Sequence, residues 1–222
     1  NLMALTKFNF NSFDVTPAAS KGLGFNASAN GFSTIDPGSM TLIKTLTASS
    51  SATLSFVDGS SDVVLDNTYP VYMFKFVNIH PATDNTDFQF NMSIDSGSNY
   101  NVTKTSNFFA AYNFENDSDA ALNYQSQRDL AQSTAFQILD YGVGNGNDES
   151  CSGFLKIFNP SSTTFVKQFI SQFSSYNYQS ENDNQLCAGY GNTTSAVDAI
   201  QFKMSSGNID SGTIKLYGIK DS

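Results

Sequence analysis

Apolar and polar residues alternate with a period of two along much of the chain from Thr41 to Ile219. In Asp87–Ile94, Phe88, Phe90, Met92 and Ile94 fall on one face, and Gln89, Asn91 and Ser93 fall on the other. Such alternation marks a strand with one buried and one wet face. The same pattern runs through Ala199–Ile219. Ile200, Phe202 and Met204 alternate with Gln201, Lys203 and Ser205, and Ile214, Leu216 and Gly218 alternate with Thr213, Lys215 and Tyr217. The connection Ser206–Gly212 is rich in turn-tolerant residues, so this segment is expected to fold back on itself as a hairpin. Thr41–Thr47 and Ala52–Val57 read as another pair of strands, and Val71–Ile79 as a central strand covered on both faces.

Further strands are expected at Asn107–Phe114, Ser133–Leu139, Ser152–Phe158, Thr164–Phe173 and Leu186–Tyr190. Phe165, Phe169 and Phe173 also fit a helix face, but Val166, Ile170 and the β-rich surroundings favour a strand. Asp119–Ala131 reads as a short helix or a polar loop, and Gly142–Glu149 and Tyr176–Asn184 read as loops. Many short strands separated by turns, with no fixed-period repeat, predict an all-β fold. The expected form is a two-sheet antiparallel β-sandwich, jelly-roll-like, over residues 41–222. Residues 1–40 differ: scattered Phe8, Phe10 and Phe13 give way to a stretch of Gly, Ala and Asn that only Phe25, Phe32 and Ile35 could anchor. This part reads as an extended N-terminal attachment arm, with a flexible leader as the alternative.

Composition sharpens the setting. The chain of 222 residues is 40% hydrophobic but only 14% charged, so Asn, Ser, Thr and Gln must carry its solubility. That balance favours an extracellular or particle-exposed β-protein over a cytosolic enzyme. A net charge of −9, with the basic residues scattered singly, argues against nucleic-acid partners. No apolar run has the length that bilayer insertion as a helix requires, and Leu2-Met3-Ala4-Leu5 is too short for a signal core. The two cysteines, Cys151 and Cys187, read as buried free thiols, with one bridge as the alternative.

Candidate chemistry is sparse. The single histidine, His80, closes a strand and has no triad signature around it. Most aspartates, among them Asp58, Asp62 and Asp95, stand in turns where they cap backbone donors; a carboxylate pair assembled from distant loops stays open. No catalytic residues, cofactor or metal are expected, although Asp58–Asp62 and Asn145–Glu149 could offer oxygen ligands to calcium. Asn26, Asn91, Asn101, Asn116 and Asn192 begin Asn-x-Ser/Thr triplets, which in a chain this rich in those residues arise by chance. For glycan binding, rings beside amides and a carboxylate are needed. Tyr176, Tyr178, Asp183 and Tyr190 form the candidate cluster.

Several segments resemble a β-rich module of virion surface and tail-fibre-like proteins of marine tailed bacteriophages (cyanophage and pelagiphage type). They are Leu42–Ser49, Phe76–Pro81, Ser152–Leu155, Phe158–Lys167, Ala188–Thr194 and, most closely, Phe202–Gly218. The resemblance covers about Met40 to Ile219 and carries no catalytic residues. It implies a structural protein at the virion surface, on capsid or tail, of fibre or decoration type. It further implies a homo-oligomer, a trimer being expected, held to capsid or tail proteins by its arm. A lectin-like module for host attachment through surface glycans is the alternative.

Overall fold

The computed structural model describes residues 22–26, 28, 31–35 and 38–220. Contacts divide the chain into two units, Asn1–Thr41 and Leu42–Ser222. In the first, the described residues form an antiparallel hairpin of β1 (Gly22–Phe25) and β2 (Phe32–Ile35). The Phe25 and Phe32 rings stack across it at 5.2 Å. Residues 1–21 of the expected arm lie outside the described residues.

The second unit is all-β. Its strands are β3 (Met40–Thr47), β4 (Leu54–Val57), β5 (Val71–Pro81), β6 (Thr86–Ser93), β7 (Lys104–Phe114), β8 (Ala120–Tyr124), β9 (Gln137–Val143), β10 (Ser150–Phe158), β11 (Lys167–Tyr176), β12 (Glu181–Gly191), β13 (Ala199–Met204) and β14 (Ile209–Ile219). An eight-stranded sheet runs in the order β3-β14-β5-β10-β11-β12-β7-β8, and a four-stranded sheet in the order β4-β13-β6-β9. Phenylalanines from the two sheets interlock between them. Phe202 of β13 meets Phe74 and Phe76 of β5 at 5.1 and 5.0 Å, and Phe90 of β6 meets Phe169 of β11 at 5.1 Å. The edge-on approach of most of these pairs suits the ring quadrupoles and fills the interior densely. This is a β-sandwich.

The expected hairpin over Ala199–Ile219 does not form. β13 pairs with β4 and β6 in the small sheet, whereas β14 pairs with β5 in the large one. Ser205–Asn208 therefore turns the chain from one sheet to the other. Each strand of a sandwich buries its apolar face against the opposite sheet, so two consecutive amphipathic strands are as well served by facing each other as by pairing. The expected pairing of Thr41–Thr47 with Ala52–Val57 fails for the same reason, β3 and β4 lying in different sheets. Side-chain alternation itself holds: Ile200, Phe202, Met204, Ile214 and Leu216 are buried.

Other boundaries shift. Asp119–Ala131 is not helical; it holds the edge strand β8 and a run of turns. The expected loop Tyr176–Asn184 contracts to the tight turn between β11 and β12, because Asn182, Asp183 and Asn184 pair into the sheet despite their polarity. Val71–Ile79 is covered on one face, with Lys75 exposed on the other. Ile94 lies beyond the end of β6 and is exposed, while Phe88, Phe90 and Met92 are buried as expected. In β11 the strand reading holds: Phe169 and Phe173 are buried, Ile170 points outward, and Phe165 stands exposed before the strand.

Candidate functional site

The solvent face of the large sheet offers the broadest organised surface. Cross-strand register lines up Tyr124, Phe109, Leu186, Gln172, Phe154, Lys75 and Lys215 in one row across seven strands. At about 4.8 Å per strand such a row spans about 29 Å. A parallel row holds Asn107, Ala188, Ile170, Lys156, Met73 and Tyr217. Tyr124 is 58% exposed, Ile170 45% and Phe109 38%. Amides stand between the rings: Gln172 Nε2 donates to Asn184 Oδ1 at 3.3 Å, and Ser174 Oγ to Asn182 Oδ1 at 3.4 Å. Midway along the face a shallow groove of about 620 Å³ is lined by Met73, Lys75, Val77 and Phe154. Gly153 adjoins it because the β11 backbone comes too close for a side chain. A Cβ there would sit 2.3 Å from the Gln172 carbonyl oxygen.

This face is built from rings, amides and amines. Such a set binds by stacking and hydrogen bonding, and a flat surface of this kind suits either a polyhydroxylated chain or another β-surface.

The four residues chosen from sequence do not share one surface. Tyr176 ends β11 on the solvent side opposite Asn182, and its hydroxyl lies 3.4 Å from Glu115 Oε2. Tyr178 sits in the turn, 37% exposed, with its ring over Gly142. Asp183 is fully buried on the core side of β12. Tyr190 lies seven residues further along β12, opposite Gln168 and Thr105, about 23 Å from Asp183 at the ordinary strand rise.

Beneath that turn lies a buried acidic cluster. Asn177 Nδ2 donates to Asp183 Oδ2 at 2.7 Å and to Glu181 Oε1 at 2.5 Å. Gln185 Nε2 donates to Asp140 Oδ1 at 3.3 Å, and its Oε1 accepts the Tyr141 amide at 2.8 Å. Among the described residues Asp140 Oδ2, Asp183 Oδ1 and Ser175 Oγ are buried with no hydrogen bond of good geometry, although the Ser175 hydroxyl lies near enough to Asp140 to ease its charge slightly. Burial, reinforced by the nearby Asp183 charge, pushes the Asp140 carboxyl well above the usual carboxylate range. Burial also lifts Asp183 to about 6, the Asn177 bond opposing it in part. Asp87, on β6, is raised by burial against the pull of Arg128, whose Nη1 lies 3.6 Å from its Oδ2. Sequence reasoning missed Asp140 altogether: the expected strand stopped at Leu139, although the flanking Leu139 and Tyr141 were a visible signal that it runs on.

The remaining candidates fall into place. His80 Nε2 bonds the Gly146 carbonyl oxygen at 3.0 Å. Asp58 Oδ1 accepts the Leu65 amide and Asp95 Oδ1 the Asn99 amide, each at 2.8 Å, as turn aspartates should. In the Asn145–Glu149 loop the Glu149 carboxylate is spent on the Gly146 amide at 2.6 Å. Among the described residues no group of three His, Cys, Asp or Glu is placed to hold a metal ion. Both cysteines are free and buried; burial drives the Cys151 thiol far up and Cys187 to about 12, so neither is a ready nucleophile. Asn91 is fully buried, which takes one glycosylation triplet out of reach in the folded chain, whereas Asn101, Asn116 and Asn192 are exposed. No family model, no curated protein and no solved structure matches the chain.

Proposed function

We propose that this chain is a bacteriophage virion structural protein, displayed on the capsid or tail and attached through residues 1–40. The observation that carries the reading is the broad solvent face of the large sheet, which pairs exposed rings with amides on a rigid frame. A displayed module needs such a face to contact a neighbour or a host, and the uncharged polar composition suits permanent exposure. The resemblance of Phe202–Gly218 and the other matching segments to tail-fibre-like modules points the same way. In this reading the sandwich is of jelly-roll type, self-associates as a homotrimer, performs no catalysis and sits at the virion surface. Deleting residues 1–40 should abolish incorporation into particles while leaving the far-ultraviolet spectrum of the remaining domain β-rich. Undiminished incorporation of the truncated chain overturns the attachment role.

A second reading, a lectin-like module for host glycans, is favoured by the exposed Tyr124 and Phe109 pair and by Tyr176 and Tyr178 at the β11–β12 turn. Glycan-array binding should then fall at least tenfold in Tyr176→Ala/Tyr178→Ala or in Phe109→Ala/Tyr124→Ala. Binding that survives both double substitutions removes the lectin reading.

A further inference from the structure

Lys104 opens β7 in the large sheet, and Asn91 lies in β6 of the small one; both side chains are fully buried. Lys104 Nζ donates to Asn91 Oδ1 at 2.5 Å and to the Val102 carbonyl oxygen at 2.8 Å. A carbonyl bond is about 1.2 Å long, so the amine stands within about 3.7 Å of the carboxamide carbon, close to the separation of reacting atoms in a near-attack arrangement.

The surroundings favour reaction between the two groups. Burial is the cause that acts on the Lys104 amine, and it lowers the pKa from 10.5 to about 7. Much of the amine is therefore neutral and nucleophilic at neutral pH. The Met92 amide donates to Asn91 Oδ1 at 2.8 Å, which polarises the carbonyl and supports a developing oxyanion. Asn91 Nδ2 donates to the Tyr100 and Thr134 carbonyl oxygens at 2.7 and 3.0 Å, so the carboxamide cannot rotate away. Lys167, the other fully buried lysine among the described residues, differs. Its Nζ is capped by three backbone carbonyl oxygens, of Ser162, Phe165 and Thr193, and has no amide side chain to attack.

We propose that Lys104 and Asn91 condense into an intramolecular isopeptide bond that ties the two sheets together covalently. The Nζ lone pair adds to the Asn91 carboxamide carbon, and the carbonyl π pair moves onto Oδ1, where the Met92 N–H receives it. A proton passes from Nζ to Nδ2, the carbon–Nδ2 bond breaks, the carbonyl reforms and ammonia leaves. Nothing is oxidised or reduced, and no co-reactant is required. The product exchanges a costly buried amine for a neutral amide. No carboxylate bonds to either group among the described residues, so the proton moves without a relay and the bond forms slowly, after folding.

Mass spectrometry of the purified full chain, incubated folded at pH 8, tests this. The protein should become about 17 Da lighter than its sequence, the mass of ammonia, and proteolysis should yield one branched peptide joining the segments around Asn91 and Lys104. Lys104→Arg should keep the full mass. A wild-type chain that is folded by circular dichroism yet retains its full mass overturns the proposal. So does a 17-Da loss without the branched peptide, which marks cyclisation of an asparagine elsewhere. The branched peptide is read on the wild type, so the outcome stands even where Lys104→Arg fails to fold.

Discussion

The two faces of the eight-stranded sheet use the same residue types to opposite ends. On the inner face Phe74, Phe76, Phe169 and Phe173 are at most 1% exposed and meet phenylalanines of the small sheet edge-on or tilted. On the outer face Phe109, Tyr124 and Ile170 stand in rows with Gln172, Lys75 and Asn107 and remain open to solvent. The inner set is explained by packing. The outer set takes no part in the packing between the sheets, because its side chains point to solvent. On the reading proposed above these rings serve contact with a neighbour or a host, and that contrast makes the outer face, rather than the core, the functional candidate.

The sharpest way to break the comparison is to cut the same volume from each face. Phe202→Ala should cost about 3–5 kcal/mol in urea unfolding, because the Phe202 ring lies against Phe56, Phe74, Phe76 and Phe88 at 5.0 to 6.2 Å. A cost below about 1 kcal/mol would mean that the sheets do not share one core.

Asp140→Asn should act in the other direction. Asp140 and Asp183 both hold their protons more tightly in the folded chain than in the unfolded one. Their contribution is therefore fully present below the unfolded pKa near 4 and is lost as pH rises, through about 6 for Asp183. The two carboxyls should therefore favour pH 5 over pH 8, against the opposite slope of buried Lys104, and their share is read as the difference between wild type and Asp140→Asn in urea unfolding at the two pH values. Asparagine at position 140 should flatten that slope and stabilise the fold by about 1–2 kcal/mol at pH 8. A variant less stable than wild type at pH 8 would show that the carboxylate is needed in its charged form.

The smallest effect belongs to the outer face. Phe109→Ala should move stability by less than about 0.5 kcal/mol in the same urea titration. A loss as large as that of Phe202→Ala would erase the distinction between the two faces.

Much of the fold was legible in the chain because burial in a strand is written at period two. Phe88, Phe90, Met92, Ile200, Phe202, Ile214 and Leu216 are all buried as the alternation demands. The candidate site was legible only in part. Tyr176 and Tyr178 do sit at one exposed end, but Asp183 reads as a loop carboxylate among Asn182 and Asn184 and is in fact enclosed between strands. Its burial depends on β9 supplying Asp140 and Tyr141 from some forty residues away, and no local pattern encodes that.

The sequence by itself determined that this is an all-β chain, which side of each strand meets the core, and that its surface is polar without being charged. Tertiary structure alone decided which strands pair. Alternation gives a strand an apolar side but not a neighbour, since backbone hydrogen bonds carry no residue identity. The segment Ala199–Ile219 shows the consequence: its side chains face as the pattern requires, yet its two halves belong to different sheets. The meeting of Lys104 with Asn91, and of Asp140 with Asp183, follows from that same choice of partners, because the closing of one sheet on the other brings these groups into a shared buried space.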